Sequence, residues 1–239
     1  MNKTLSQPAL DIIRQYETLQ FGDKQICTPY FNNKRQKIRG ALRVLVGKGT
    51  PSDIVEEAEL MARREHVELK KLSSEDVSKF LIDHNLGIDC SGFVYHVLNA
   101  EKPLKSRLKF PNTSLLRKLL TKLRPAENTN VKTLAHKKNS SEVKLSDIQP
   151  GDLITMVGSK KVGNPDHVLL VENTTNDVIS YVHSYTLPSD GKYDHGIKHG
   201  EIEITDAKKS IVDQRWDDAE MLAVVRDAGN LQVKRLNNL

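Results

Sequence analysis

The sequence predicts an α+β domain, with N-terminal helices packed on one side of an antiparallel sheet. Three observations carry this. Apolar residues recur at helical spacing up to Glu101, short β-rich runs take over after Pro150-Gly151, and no internal repeat divides the chain. At 239 residues the chain suffices for one large core with insertions, and it is read as a single domain over 1–239.

The first helix is expected over Gln7–Gln20, with Ser6 as cap, Pro8 early and Gly22 past its end. A second should run from Ser52 to His66 and a third from Ser74 to Asn85, each opened by Ser or Asp and followed by acids. Gly87 then leads into a short helix starting at Cys90. There Cys90, Phe93, Val94, Val97 and Leu98 form one apolar stripe, and Asp89 stands at the N-cap. A further helix is expected over Thr113–Leu123. The strands are expected at Asp152–Val157, His167–Val171, Val178–His183, Gly200–Ile204 and Met221–Arg226.

Composition bounds the function. With 38% hydrophobic and 28% charged residues the chain is of the globular class, and no run approaches the roughly 18 apolar residues of a membrane span. The N-terminus lacks the apolar run of a secretory signal, so a cytoplasmic location or export by a non-classical route is expected. Two cysteines, Cys27 and Cys90, make no disulfide framework. The net charge of +5 is uneven: residues 101–144 hold twelve Lys or Arg against three Glu. This segment suits an anionic polymer. Phe110 is its one aromatic residue, which argues against nucleic acid.

A cysteine in the first turn of a helix feels unpaired N–H groups and the positive end of the dipole, which can lower its pKa to roughly 3.5–7.5. A buried cysteine acting only as a small hydrophobe is the alternative. Partners for Cys90 come from residues 166–184, which read as a β-hairpin. A five-residue loop at Asn173–Asp177 would pair Glu172 with Val178 and set His167 opposite His183. One imidazole would serve as base and the other would orient it.

Asp-Cys-Ser-Gly-Phe-Val (89–94), Ile-Gln-Pro-Gly-Asp-Leu-Ile (148–154), Asp-His-Val-Leu-Leu-Val-Glu (166–172) and the later His183 resemble the NlpC-type cysteine peptidases, which are papain-like cell-wall hydrolases. Upstream, Cys-Thr-Pro-Tyr-Phe-Asn-Asn (27–33) is similar to the family's Gly-x-Pro-Tyr-x-x-Gly-Gly segment, with Tyr30 on its tyrosine and Asn32 and Asn33 where the family has glycines. Asp-His-Gly-Ile-Lys-His-Gly-Glu-Ile (194–202) is similar to its late strands. The resemblance implies a papain-like fold with a helical insertion at about 34–86 and a basic one at about 101–147. It implies Cys90 as nucleophile, His167 as base and His183 as the residue that orients it, with Tyr30, Asp89 and Ser91 engaging substrate. The implied reaction is hydrolysis of peptidoglycan stem-peptide amides through a thioester, without metal or cofactor. Two alternatives remain: a non-catalytic binding module with the same cleft, and a papain-like amidase or acyltransferase acting on another substrate.

The remaining conspicuous residues read as structural. Asp152 belongs to a turn at a strand start. His195 and His199 are four apart, but Gly196 between them argues against a zinc-binding helix. His84 and His96 show no ligand spacing, and Cys27 reads as packing.

Overall fold

The computed structural model describes residues 3–33, 42–104, 108–110, 121–160 and 166–237. Helix α1 (Gln7–Glu17) stops three residues short of the expected end, because the next residues alternate rather than follow a helical period. Leu19, Phe21 and Ile26 are buried while Gln20 and Gln25 are exposed. They form β2 (Leu19–Phe21) and β3 (Lys24–Ile26), a hairpin turning at Gly22 with φ +68°. Strand β1 (Lys3–Thr4) precedes them all.

Helix α2 (Pro51–Arg64) opens with a capping box. The Thr50 hydroxyl accepts from the Asp53 N–H at 3.2 Å, and the Asp53 carboxylate accepts from the Thr50 N–H at 2.6 Å. Helix α3 (Ser74–Asp83) is capped by Ser73, which accepts from the Asp76 N–H. Both end near a residue in the left-handed region, His66 and Asn85, each at φ +57°. Their apolar faces, with Ile54, Ala58, Val77 and Leu81, join the same core as α1, so residues 51–83 are built into the domain.

Helix α4 (Cys90–Glu101) departs from the expected single buried stripe. Residues 90–95, 97 and 98 are all buried, because α1 and the sheet flank it and α5 (Pro125–Asn128) also contacts it. Helix α6 (Val131–Ala135) follows. The helix expected over Thr113–Leu123 falls mostly outside the described residues; 121–123 are helical. No described helix is long and apolar enough to cross a membrane.

The sheet is antiparallel throughout, in the order β4 (Ser140–Glu142), β10 (Ala228–Leu236), β5 (Leu153–Ser159), β6 (His167–Thr174), β7 (Val178–Tyr185), β8 (Gly196–Glu203) and β9 (Arg215–Trp216), with β1 paired to the far end of β6. Strand β8 begins four residues before the expected Gly200. The expected strand Met221–Arg226 is instead part of helix α7 (Ala219–Asp227). Asp218 caps it by accepting from the Met221 N–H at 2.9 Å, and Met221 and Val225, one turn apart, are its buried contacts. The β-rich composition of this stretch was outweighed by the cap and by the i, i+4 spacing. With α7 and Trp216 on the second face, the sheet is covered on both sides rather than one. Leu153, Val168, Leu170 and Val182 face the helical core, while Ile154, Leu169, Val171 and Tyr181 face a second apolar cluster.

The β6–β7 hairpin also turns later than expected. Thr174 pairs with Ile179 around a turn closed by the Thr175 N–H to the Val178 carbonyl, 2.8 Å. A β-bulge at Glu172 then shifts the register, so that Val171 faces Tyr181 and Leu170 faces Val182. Continued to the strand ends, this sets His167 opposite Tyr185 and leaves His183 on the neighbouring diagonal. The expected pairing was thus two residues out, and an even slip keeps both histidines on one face.

The segment that carries Tyr30 is laid beside the start of α4 by two backbone bonds, Ile88 N–H to the Pro29 carbonyl (3.0 Å) and Phe31 N–H to the Ile88 carbonyl (3.1 Å). Gly87 makes this approach feasible, since a Cβ there would lie 2.3 Å from the Pro29 oxygen. Gly87→Ala is therefore expected to lower stability by about 1–3 kcal/mol, the usual cost of overpacking. Equilibrium urea unfolding measures it, and a change within about 0.5 kcal/mol, the scale of an ordinary surface substitution, would show that the two segments are not held this tightly.

Candidate active site

The N-terminus of α4 is fixed before any chemistry is considered. The Asp89 carboxylate accepts from the Gly92 N–H at 2.6 Å as N-cap, and the Asp89 N–H donates to the Gly47 carbonyl at 3.0 Å. From β7, the Ser184 hydroxyl donates to the Ile88 carbonyl at 2.9 Å, tying the sheet to the loop before Cys90. The backbone N–H groups of Val168, next to His167 in the chain, and of Ser91 favour the charged form of the Cys90 thiol.

His167 and His183 are joined directly, Nε2 to Nδ1 at 2.9 Å, with ring centroids 5.1 Å apart. Both side chains are buried. The ring of Tyr185 lies against His167 at 4.1 Å, and Tyr30 meets Tyr185 edge-on at 5.7 Å. Among the described residues, His167 Nδ1 is buried without a hydrogen-bond partner, the Cys90 sulfur included.

Burial decides the charge state of this group. It pushes the Cys90 thiol up to about 12, with the Asp89 carboxylate adding to the rise and Lys48 opposing it. The expectation of a thiol lowered by the helix N-terminus is overturned here, because desolvation outweighs the dipole. Burial likewise holds His167 well below its ordinary value, helped by His183, and lowers His183 to about 3. The thiol and both imidazoles therefore rest neutral. Tyr30 is raised by burial and then by Cys90, so its hydroxyl stays protonated; it accepts from Asn32 Nδ2 at 3.0 Å.

Asp89 and Ser91 have partners within the protein. A lysine that sequence reasoning passed over, Lys48, reaches both: its ammonium lies 2.7 Å from Asp89 Oδ1, 2.6 Å from Ser91 Oγ and 2.8 Å from the Thr129 carbonyl. Its signal in the sequence is its place between Gly47 and Gly49, where backbones can approach closely.

The other histidines are held apart from the group. His195 Nδ1 accepts from the Tyr30 N–H at 3.1 Å. His199 is paired with Glu172, 2.9 Å, and with Glu17. His96 hydrogen-bonds the Lys48 carbonyl, and His84 stacks on Phe80. No cluster of three or more His, Cys, Asp or Glu fit to hold a metal occurs among the described residues. Asp152 receives two bonds from Arg235, each 2.7 Å, together with the Gln149 N–H, and so closes the turn before β5. The Cys27 thiol makes only long contacts to the Thr28 and Ile197 carbonyls.

Comparison with protein-family models, with curated proteins and with solved structures returns no match. The reading of the site therefore rests on its own chemistry.

Two pH dependences of opposite sign follow. His199 is raised to about 9 by its bonds to Glu17 and Glu172. The stability it contributes is full below its unfolded value near 6.5 and is lost as pH rises through 9. His183 is depressed, so its contribution is full above 6.5 and is lost as pH falls from there toward 3. Urea unfolding across this range should show the gap between wild type and His199→Gln closing on the alkaline side, and His183→Gln flattening the acid limb. A gap for His199→Gln that persists unchanged above pH 9 would remove the charge-based account.

Proposed function

We propose that this chain is a cysteine hydrolase with a papain-like, NlpC-type active site, cutting amide bonds in peptidoglycan stem peptides. One observation supports it above all: the hydrogen-bonded His167–His183 pair, whose remaining Nδ1 is unpartnered and buried, next in the chain to Val168, whose N–H favours the Cys90 thiolate. A base needs a bare nitrogen for the thiol proton. That selects the tautomer in which His167 Nε2–H donates to His183 Nδ1.

In this reading His167 takes the Cys90 proton as the sulfur attacks the amide carbonyl. The developing oxyanion is met by the Cys90 N–H, which has no acceptor within α4, and by the protonated Tyr30 hydroxyl. His167 then gives its proton to the leaving amine, and water hydrolyses the thioester. Because thiol and imidazole rest neutral, proton transfer accompanies attack rather than preceding it. Asp89 and Ser91 shape the nucleophile's support, and the basic segment 101–144 suits the anionic polymer that carries stem peptides.

Stem peptides incubated with the protein should yield new amine termini by mass spectrometry. Cys90→Ala should reduce the rate by about 10³-fold or more, and His183→Ala by about 10²–10⁴-fold. Cleavage that survives Cys90→Ala would sink the proposal.

The burial of Cys90, 4% exposed, favours a second reading, a binding module that keeps the cleft without the chemistry. In that case neither stem peptides nor other amides are cut, and iodoacetamide leaves Cys90 unmodified even with ligand bound.

A further inference from the structure

Lys48 is 5% exposed, and its three ammonium hydrogens match three acceptors: Asp89 Oδ1, Ser91 Oγ and the Thr129 carbonyl. Its backbone is also fixed, by the Lys48 N–H to the Arg43 carbonyl at 2.8 Å, by a bridge to Ile88 and by His96 on its own carbonyl. The stem crosses the first turn of α4 closely enough that a Cβ on Gly92 would lie 2.9 Å from Lys48 Cδ and 2.8 Å from the Gly47 oxygen. Gly92, third residue of the cysteine helix, is thus what lets a lysine pass beneath it.

The oxygen that receives Lys48 is also the capping oxygen. Asp89 Oδ1 accepts from Lys48 Nζ, from the Gly92 N–H and from the Ser91 hydroxyl at 3.0 Å. A carboxylate beside a thiolate repels it, yet this carboxylate is needed as the cap. An ammonium bound to the same carboxylate reconciles the two demands.

We propose that Lys48 is a positioning residue for the Cys90 nucleophile: it fixes Asp89 as the cap of α4 and supplies the positive charge that offsets the Asp89 carboxylate behind the thiolate. This rests on the hydrolase reading for the thiolate's use. Among the described residues, the charged and titratable groups that act on Cys90 are Asp89 at its own cap, Lys48 from the loop before α2, Tyr30 from the segment after β3 and Tyr185 from β7, with His167 and its partner His183 on β6 and β7. Of these, Lys48 is the cation bound to the cap.

The test uses the full chain in a Cys27→Ser background, so that a single thiol reports. Iodoacetamide modification of Cys90 is followed by intact mass between about pH 6 and 10 for Lys48→Met, Asp89→Asn and the double variant. Lys48→Met should leave the Asp89 carboxylate unopposed and slow modification by about tenfold at a given pH, one pKa unit. Asp89→Asn, which keeps a capping side chain, should speed it, and the double variant should fall between the two. Single variants that shift the profile in the same direction, or not at all, would overturn the assignment. Should Lys48→Met fail to fold, Asp89→Asn decides alone: faster modification supports it, unchanged or slower modification overturns it. Opposite shifts without stem-peptide cleavage in the parent would sink the hydrolase reading and leave the role of Lys48 standing.

Discussion

The candidate site depends on one extra residue in a strand. Near the turn, β6 and β7 are paired so that partner numbers sum to 353, and on that register His167 would face Thr186 while His183 would fall on the opposite side of the sheet. The bulge at Glu172 lowers the sum to 352 and returns both imidazoles to one face. The bulge is itself pinned: the Glu172 carbonyl accepts from the Leu5 N–H, its carboxylate holds His199, and His199 in turn holds Glu17 at the end of α1. A surface cluster at one end of the hairpin thereby supports a buried hydrogen bond at the other.

The second governing effect is desolvation. The N-terminus of α4 offers Cys90 a favourable dipole, Lys48 adds a nearby cation, and still burial leaves the thiol neutral. The same burial keeps His167 and His183 uncharged, so neither partner is ionised in the resting protein. An ion pair would need each group to overcome its own desolvation, and the helix dipole alone is worth only about 0.3–2 kcal/mol.

Much of the arrangement was legible in the sequence, for reasons that differ by element. Caps announce themselves locally, so the starts of α2, α3 and α4 fell within a residue of Ser52, Ser74 and Cys90. The pairing of His167 with His183 was legible only as a shared face, since alternation survives a slip of two while the position of the turn does not. Helix α7 was misread because Met221–Arg226 is as apolar as a strand; its cap, Asp218, precedes the run and carried the missing information. Lys48 was passed over for another reason: the flanking Gly47 and Gly49 mark a close backbone approach but not what the lysine binds. Its partners lie 41, 43 and 81 positions away, and no local pattern encodes them.

That long reach changes how the residues between the Tyr30 segment and Cys90 should be viewed. By chain position they are an excursion that a smaller fold of this kind could omit. By contact they are part of the site: the Gly47 carbonyl accepts from the Asp89 N–H, Lys48 donates to the Asp89 carboxylate, and Tyr16 in α1 donates its hydroxyl to the Gly49 carbonyl at 2.8 Å. The Thr129 carbonyl brings the basic segment to the same ammonium. Both segments that look like insertions therefore end on one buried cation beneath the cysteine helix. Because that cation is bound on every hydrogen, displacing either segment would leave a buried charge or carbonyl unsatisfied, which makes their packing and the geometry of Cys90 a single cooperative arrangement.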